Sequence, residues 1–273
     1  MRIIRGKKAL VTGAASGIGR AIAPELAREG ADLFLIDIDA ENLERVAGEA
    51  RQHGVAVLTQ ICDLADPAAI TVAVESLRAR WGGLNILINN AGVSYYGSTE
   101  TMRADQWRRI MAVNLMAPIQ LVHELLPVLH AADEAHVLNV CSMFGLVPWR
   151  KAAVYQTSKY GLVGFTAALR TEFHREQFGV TALCPGFVRT SMLEASTNDR
   201  KVARAVPAWM STTPEVIARR AIKAIHRNSG IVLVTPVAHV YWRFARLAPG
   251  FVDWLLREGW RRRTRVKVTR EGT

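Results

Sequence analysis

The sequence predicts a single α/β domain built on a doubly wound parallel sheet, followed by a basic helical extension. Apolar strand-like runs alternate with helical stretches along most of the 273 residues, and this alternation is typical of parallel strands joined by right-handed crossovers. A glycine-rich turn separates the first strand from the first helix. Together these observations predict the Rossmann fold, in which ligands bind at the carboxyl ends of the strands.

The turn after the first predicted strand, residues 8–12, is a candidate dinucleotide site. Small residues there allow a diphosphate to approach the free N–H groups and the positive dipole end of the following helix. The residues expected to contact the cofactor are Gly13, Ser16, Gly17, Ile18 and Gly19. A plain strand-to-helix turn is the alternative, but a strand before and a helix after the glycines favour cofactor binding.

The second predicted strand ends in Asp37, which favours NAD over NADP. Asp37 lies eighteen residues after Gly19, close to the interval at which an acidic side chain meets the adenosine ribose. A carboxylate there accepts both ribose hydroxyls and repels a 2′-phosphate. Ser16 and Ile38 supply no compensating cation, and Arg20 is expected on the first helical turn. The alternative is that Asp37 is a loop or capping residue.

The next two predicted strands, over residues 56–62 and 85–89, also end in side chains that suit a cofactor site. Asp63 follows the first of them and either contacts the adenine edge or caps a helix that begins near Pro67. The other predicted cofactor residues at these two strand ends are Leu64, Asn90, Ala91 and Gly92. Small and amide residues can line a cofactor while tying neighbouring strands together.

Tyr155 and Lys159 form a candidate proton-transfer pair, because residues four apart lie on one face of a helix. A nearby ammonium group lowers the pKa of a phenol from its usual value of about 10, so the pair can exchange a proton near neutral pH. Ser142, thirteen residues before Tyr155, can donate a hydrogen bond to the same oxygen. An amphipathic helix with a snorkelling lysine has the same spacing, so the other motifs decide between these interpretations.

These motifs together resemble the classical short-chain dehydrogenase/reductase family. In the family's order, the matches are Thr12-Gly13-x-x-x-Gly17-x-Gly19, Asp63, Asn89-Asn90-Ala91-Gly92, Asn114, the interval from Ser142 to Tyr155, Tyr155-x-x-x-Lys159, and Pro185-Gly186 with Thr190 beyond. They cover residues 7–190, and the resemblance is only general after that point.

The resemblance implies roles for the polar residues. Tyr155 would be the general acid in ketone reduction or the base in alcohol oxidation, and Lys159 would lower its pKa and bind the nicotinamide ribose. Ser142 would polarise the substrate oxygen, and Asn114 would hold a water against Lys159. Contacts near the nicotinamide are implied for Pro185, Gly186, Val188 and Thr190.

The resemblance also implies a homotetramer or homodimer, in which the helix over residues 161–173 and its predecessor pack across subunits. The alternative is that Ala167, Ala168 and Leu169 face the sheet of their own subunit.

Apolar residues beside the catalytic motifs predict a lipophilic substrate, such as a steroid, a long-chain or a polyketide-like alcohol or ketone. The candidates for the pocket lining are Met143, Phe144, Val147, Trp149, Phe187, Met192 and Leu193. Each of them is equally suited to the core. Residues 194–213 mix charge with proline, tryptophan and methionine, and we expect them to form a substrate lid.

Residues 1–238 are the predicted catalytic domain, and residues 239–273 are a predicted basic amphipathic extension. Residues 241–273 contain nine Arg or Lys against three Asp or Glu, about half of the chain's net charge of +11. Tryptophans beside arginines on short helices suit a peripheral membrane contact, whereas packing over the cleft or against another subunit uses the same residues. Charge alone would favour nucleic acid, and we do not expect nucleic-acid binding.

The predicted location is the cytoplasm, with peripheral contact at a membrane surface as an addition. Cys62, Cys141 and Cys184 fit buried thiols better than disulfides or metal ligands, so no metal is expected. The N-terminus lacks the long apolar core of a signal peptide, and no uninterrupted run of eighteen apolar residues predicts a membrane-spanning helix.

The sequence therefore predicts an NAD(H)-dependent oxidoreductase of a lipophilic secondary alcohol or ketone. One alternative is an NADPH-dependent 3-oxoacyl-type reductase, which Asp37 disfavours. The other is a catalytically silent, cofactor-sensing protein, which the complete set of Asn114, Ser142, Tyr155 and Lys159 disfavours.

Overall fold

A parallel sheet forms the centre of the protein. The computed structural model describes residues 1–174, 177–189 and 210–257. Within them, seven strands form one sheet in the order β3-β2-β1-β4-β5-β6-β9. These strands are β1 (Lys8–Thr12), β2 (Asp32–Asp37), β3 (Val57–Ile61), β4 (Ile86–Asn89), β5 (Ala135–Val140), β6 (Phe178–Cys184) and β9 (Ile231–Leu233). A short parallel pair, β7 (Phe187–Val188) and β8 (Ser211–Thr212), lies outside this sheet. The doubly wound parallel sheet is confirmed.

Helices cover both faces of the sheet because successive strand residues point to opposite sides. Ala9 and Val11 of β1 pack into one buried cluster, and Leu10 packs into the other. The first face carries α1 (Gly17–Arg28), α2 (Ala40–Arg51) and α7 (Pro214–Arg227). The second face carries α3 (Pro67–Trp81), α5 (Ala117–His130) and α6 (Ala153–Glu172), with α4 (Ala104–Met111) preceding α5 along the chain. The three cysteines are buried and unpaired.

A chain of buried polar side chains fixes α6 against the sheet. Asn89 donates to Asn139 on the neighbouring strand at 2.8 Å, and Asn139 donates to Thr166 of α6 at 2.8 Å. A satisfied hydrogen bond of this kind contributes about 1 kcal/mol, whereas an unpaired buried partner costs more. The network therefore sets the position of the helix that carries Tyr155 and Lys159.

A π-helical turn, Ala112–Met116, separates α4 from α5 and places Asn114 in its middle. Such turns are rare in proteins as a whole, and those that occur often lie at functional sites. The stretch Ala104–His130 is long enough for a membrane span, and an 18-residue window within it has a mean hydropathy of 1.4. Leu121 and Leu125 within it are buried against the sheet, which is the arrangement of a core helix.

The C-terminal helices pack beside the sheet edge. Helix α8 (Pro236–Leu247) follows β9 directly, and residues 249–257 are helical after a break at Ala248. The Tyr241 hydroxyl donates to the carbonyl oxygen of Pro148 at 2.8 Å. Of the predicted lid only residues 210–213 are described, and residues 258–273 of the predicted extension lie outside the described part of the chain.

Candidate active site

A single cleft at the carboxyl edge of the sheet brings together most of the residues predicted from the sequence. We call it the catalytic cleft. The predicted residues that line it are Gly13, Ser16, Gly17, Ile18, Asp37, Asp63, Leu64, Asn90, Ala91, Gly92, Ser142, Phe144, Tyr155, Lys159, Pro185, Gly186, Phe187 and Val188. This convergence follows from the topology, because the ends of parallel strands meet at one edge.

The glycine turn is packed so closely that side chains are excluded. A Cβ atom on Gly19 would lie 2.1 Å from the Gly13 carbonyl oxygen and 2.5 Å from the Asn90 amide nitrogen. Gly13 itself has a φ of +64°, which favours glycine. Gly19 therefore lies beneath the turn, whereas Gly13 and Gly17 form the cleft surface.

Strand ends β1 and β4 are locked together beside this turn. Asn90 donates through its side chain to the carbonyl oxygens of Thr12 at 2.9 Å and Gly13 at 3.0 Å. The Thr12 hydroxyl oxygen accepts the backbone N–H groups of Asn90 at 3.0 Å and Ala91 at 3.1 Å. The shape of the turn is thus set by the chain itself.

This arrangement fits the diphosphate of a dinucleotide cofactor. Ser16 precedes α1 and makes no side-chain capping hydrogen bond, so its side chain leaves the N–H groups of the first helical turn without a cap. Free N–H groups and the helix dipole attract an anion at such an end. The glycines and Ser16 would hold the diphosphate.

The Asp37 carboxylate lines the cleft and is oriented by backbone N–H groups. One oxygen accepts from Ala15 at 2.8 Å, and the other accepts from Ile38 at 2.7 Å. Arg20 does not line the cleft, and it pairs with Glu49 at 3.0 Å. Asp37 therefore stabilises the adjoining loops, as the alternative predicted, and its carboxylate also faces the cleft.

Asp63 also lines the cleft, and Asp66 rather than Asp63 caps α3, accepting the Ala68 N–H at 2.9 Å. The capping alternative for Asp63 is therefore wrong. A hydrogen bond from the Ala65 N–H and the Arg109 guanidinium lower the pKa of Asp63. Arg109 contacts the carboxylate at 3.2 Å and 3.3 Å and lines the cleft as well. The sequence reasoning missed Arg109, because its spacing from Asp63 carries no local signal.

Ser142, Tyr155 and Lys159 converge at the deep end of the cleft. The Tyr155 hydroxyl hydrogen-bonds with the Ser142 hydroxyl, and Ser142 is oriented because its oxygen accepts the Phe144 N–H at 3.1 Å. The Lys159 ammonium donates to the Val140 carbonyl oxygen at 2.9 Å and lies 5.9 Å from the centroid of the Tyr155 ring.

Burial dominates the proton affinities of this group. Desolvation raises the pKa of Tyr155 to about 12, and the hydrogen bond with Ser142 opposes the rise. Desolvation also lowers the pKa of Lys159, which is 4% exposed. The sequence predicted that Lys159 lowers the pKa of the phenol. The net direction is the opposite, because the loss of hydration outweighs the hydrogen bond with Ser142.

Asn114 lies behind the cleft wall rather than in it. Its side chain donates to the Val93 carbonyl oxygen and accepts the Val93 N–H, both at 2.8 Å, and it donates to Ser158 at 3.1 Å. A Cβ atom on Gly92 would lie 3.3 Å from Asn114 Oδ1 and 3.7 Å from Lys159 Nζ. The two side chains therefore approach the same point, and the water implied between them stays a prediction.

The predicted substrate residues divide between two cavities. Phe144 and Phe187 line the catalytic cleft, whereas Met143 and Trp149 line a neighbouring groove together with Phe187. Val147 is buried in the core beside these residues. Thr190, Met192 and Leu193 lie outside the described residues.

Tyr96 is a cleft residue that the sequence reasoning missed. Its ring centroid lies 6.2 Å from that of Tyr155, and burial raises its pKa. An aromatic pair, Tyr95 and Tyr96, begins three residues after Gly92, but its position in the sequence does not show which of the two rings reaches the cleft.

Comparisons with known proteins agree with this geometry. The model of the short chain dehydrogenase family matches residues 7–201. The chain is 40% identical to a putative ketoacyl reductase of granaticin polyketide synthase from Streptomyces violaceoruber, over 68% of this chain and 69% of that one.

Two solved structures share the fold along nearly the whole chain. A short chain dehydrogenase/reductase from Burkholderia phymatum in complex with NAD has a TM-score of 0.81 and 26% identity, covering 90% of this chain and 95% of its own. L-sorbose reductase from Gluconobacter frateurii, complexed with NADPH and L-sorbose, has a TM-score of 0.77 and 26% identity, covering 86% and 97%. Since the family model, the relative and the cleft geometry agree, the chain belongs to the short-chain dehydrogenase family and is an oxidoreductase that acts on CH–OH groups with a nicotinamide dinucleotide.

Proposed function

We propose that the protein interconverts a lipophilic secondary alcohol and its ketone, with NAD(H) as the cofactor. The observation that carries this proposal is the hydrogen-bonded pair of Ser142 and Tyr155, with Lys159 beside it, facing a wall formed by Phe144 and Phe187. The polar pair supplies the chemistry at one oxygen atom, and the aromatic wall favours an apolar body around it.

The roles of the polar residues follow from their proton affinities. Bound nicotinamide supplies the hydride in reduction and accepts it in oxidation. In the reduction direction, Tyr155 transfers its hydroxyl proton to the substrate oxygen while Ser142 donates a hydrogen bond to that oxygen. With its pKa raised to about 12, Tyr155 is protonated at neutral pH and ready to act as the acid. Oxidation needs the phenolate, so its rate should rise with pH.

The preference for NAD rests on the charges at the adenosine end of the cleft. The Asp37 carboxylate is presented there. Arg20, on the helix after the glycine turn, pairs with Glu49, and Arg109, which lines the cleft, pairs with Asp63. Neither arginine is therefore left to compensate the repulsion between the Asp37 carboxylate and a 2′-phosphate.

The test is the absorbance change of the nicotinamide with purified protein. Both cofactors are offered with a panel of steroid, long-chain and small polar alcohols and ketones, and Tyr155→Phe serves as the control. We expect turnover of apolar members with NAD(H) that is lost in the control. Turnover of polar members alone, or a clear preference for NADPH, would overturn the substrate class or the cofactor choice respectively.

A second candidate is an NADPH-dependent 3-oxoacyl-type reductase. The relative that is 40% identical favours it, since that protein is named a putative ketoacyl reductase. Reduction of a 3-oxoacyl thioester with NADPH, faster than oxidation of any secondary alcohol with NAD, would establish it. Tight NADH binding without turnover of any substrate would point instead to a cofactor sensor.

We also propose that the protein forms a homodimer or homotetramer through α6. Leu169 packs against its own sheet as the alternative predicted, whereas Ala167, Ala168 and Gly164 are exposed. Small residues permit close helix contact. Sedimentation velocity should show an oligomer in the native protein and a smaller species for Ala168→Arg; a native monomer would exclude the assembly.

We further propose a cytoplasmic protein that contacts a membrane peripherally through its C-terminal helices. Trp254 is 55% exposed, and Arg246 lies over the Trp242 ring at 5.4 Å, with Arg243 exposed beside it. Aromatic and basic side chains on one surface suit an anionic interface. We expect co-sedimentation with phosphatidylglycerol vesicles that Trp254→Glu weakens. Trp107→Glu on α4 is the matched control, and equal loss in both variants contradicts the contact.

A further inference from the structure

A second cavity lies beside the catalytic cleft, between the sheet domain and the C-terminal helices. We call it the C-terminal groove. Trp149 and Phe187 line its inner side, and Val240, Phe244 and Leu255 line its outer side. Its volume is about 660 Å³, within the range of roughly 300–1,000 Å³ that is common for ligand sites.

The lining of the groove suits a hydrocarbon. The described residues that line it carry no carboxylate, amide, ammonium or guanidinium group. Their one hydroxyl, on Tyr241, already donates to the Pro148 carbonyl oxygen at 2.8 Å. A polar ligand would lose its hydration without gaining charged or amide partners, whereas an apolar ligand loses nothing of that kind.

The groove and the catalytic cleft share one aromatic side chain as a wall. Among the described residues, Phe187 alone lines both cavities. Its ring lies 5.6 Å from that of Phe144, which faces the cleft, and 5.8 Å from that of Trp149, which faces the groove. These three rings therefore form a partition, which separates a ligand in the groove from Ser142 and Tyr155.

The outer wall of the groove is open to solvent in the described part of the chain. Val240 is 63% exposed, and Phe244 and Leu255 are each more than half exposed. Apolar side chains arranged around a concave surface gain from being covered.

We propose that the C-terminal groove holds the aliphatic chain of the substrate whose carbinol or keto carbon reacts at Tyr155. This inference rests on the proposed function and narrows its substrate class to long-chain secondary alcohols and ketones. The reacting oxygen stays with Ser142 and Tyr155, and the chain runs past Phe187 into the groove. Short members of the same series end within the cleft and make no use of it.

The experiment measures kcat/KM for a homologous series of 2-alkanols with NAD, from four to fourteen carbons. In the native protein we expect a rise of roughly four-fold for each methylene that enters the groove, and then a plateau. Val240→Trp fills the groove from its exposed side and should flatten this rise. Leu247→Trp is the matched control, since Leu247 is on the same helix, 86% exposed and outside the groove lining.

Two kinetic outcomes overturn the inference. One is a native series in which kcat/KM does not depend on chain length. The other is a Val240→Trp series that keeps the native slope. Thermal unfolding of both variants verifies that each is folded.

A binding measurement separates this inference from the proposed function. Isothermal titration of the native protein with 2-dodecanol needs no turnover, and Val240→Trp should weaken the binding while Leu247→Trp should not. Groove-dependent binding without turnover of any alkanol means that only the proposed function fails. The absence of binding in the native protein means that the inference is wrong.

Discussion

The catalytic cleft and the C-terminal groove lie on two sides of Phe187 and are built by opposite means. In the cleft, Asn90 and Lys159 are each held by backbone carbonyl groups at strand ends. In the groove, short helices present apolar side chains that are half exposed, and Tyr241 makes a hydrogen bond back to the domain. The reaction is thus assigned to the part of the molecule in which hydrogen bonds constrain the side chains most. Residues that line the groove can therefore be substituted without disturbing the catalytic residues.

The largest effect that this comparison predicts is for Lys159→Met. The neutral side chain removes a buried charge next to Tyr155, so turnover should fall by roughly 10²-fold or more, equally for short and long substrates. Because burial lowers the pKa of Lys159, its charged form destabilises the folded state at neutral pH. The variant should therefore gain about 1 kcal/mol in free energy of unfolding.

Steady-state kinetics and urea unfolding at pH 7 measure both quantities. A variant that loses activity and stability together would show that Lys159 supports the fold, and the contrast with the groove would then weaken.

The second prediction concerns the stability of the fold at acid pH. We expect a residue of the sheet, and not the groove, to limit that stability. His136 of β5 is fully buried, and burial lowers its pKa to about 3. The unfolded chain binds this proton near pH 6.5, so the stabilising effect of the neutral ring is complete above that pH. It is lost as the pH falls from about 6.5 towards 3, by up to roughly 1.4 kcal/mol per pH unit.

Urea midpoints between pH 7 and pH 4 measure this loss, and His136→Asn should flatten the dependence. His53→Asn is the control at an exposed position. If His136→Asn does not fold, the NMR titration of the His136 ring in the native protein decides: protonation near pH 6 would contradict the prediction.

The third prediction tests how rigid the cofactor side of the cleft is. In Gly19→Ala the new Cβ atom would meet the Gly13 carbonyl oxygen at 2.1 Å, and a backbone group cannot rotate away. The turn must shift, and NADH affinity should fall by roughly ten-fold or more, about 1.4 kcal/mol. Gly48→Ala on α2 is the matched control. A Cβ atom there meets nothing within 4 Å, so it should raise stability by roughly 0.5–1 kcal/mol. Equal NADH titrations for the two variants would contradict the prediction.

The cofactor end of the site could be predicted from sequence because its signals are local. Gly13 and Asn90 each follow a strand directly, Asp37 is the last residue of one, and topology then brings strand ends together. Arg109 and Tyr96 reach the cleft only through tertiary packing, so no spacing reveals them. The π-helical turn around Asn114 was missed for a similar reason, since its sequence continues an apolar helical pattern.

The substrate side shows a different limit of sequence reasoning. Met143 and Phe144 are neighbours in one 3₁₀ turn, yet they line different cavities. Their apolar character predicted a wall correctly, but a turn gives no fixed alternation from which to assign the side. The pKa of Tyr155 was also beyond the sequence, because desolvation depends on what the fold packs around the phenol.

The smallest expected effect belongs to Tyr241→Phe, which loosens the groove and spares the cleft. The variant removes the hydrogen bond to Pro148, and because the site is exposed, water can replace the lost donor. The cost should be about 0.5–1 kcal/mol, confined to α8 and residues 249–257. Hydrogen exchange in α8 should therefore become roughly two- to five-fold faster, since exchange follows the free energy of local opening.

Exchange in β5 and β6, measured in the same experiment, is the internal control. These strands are buried and paired along their whole length, so their exchange should not change. Acceleration confined to the C-terminal helices would establish that the groove opens independently of the catalytic cleft. Equal acceleration in β5 and β6 would mean that the two regions unfold as one unit, and a change in groove lining would then be felt at Tyr155.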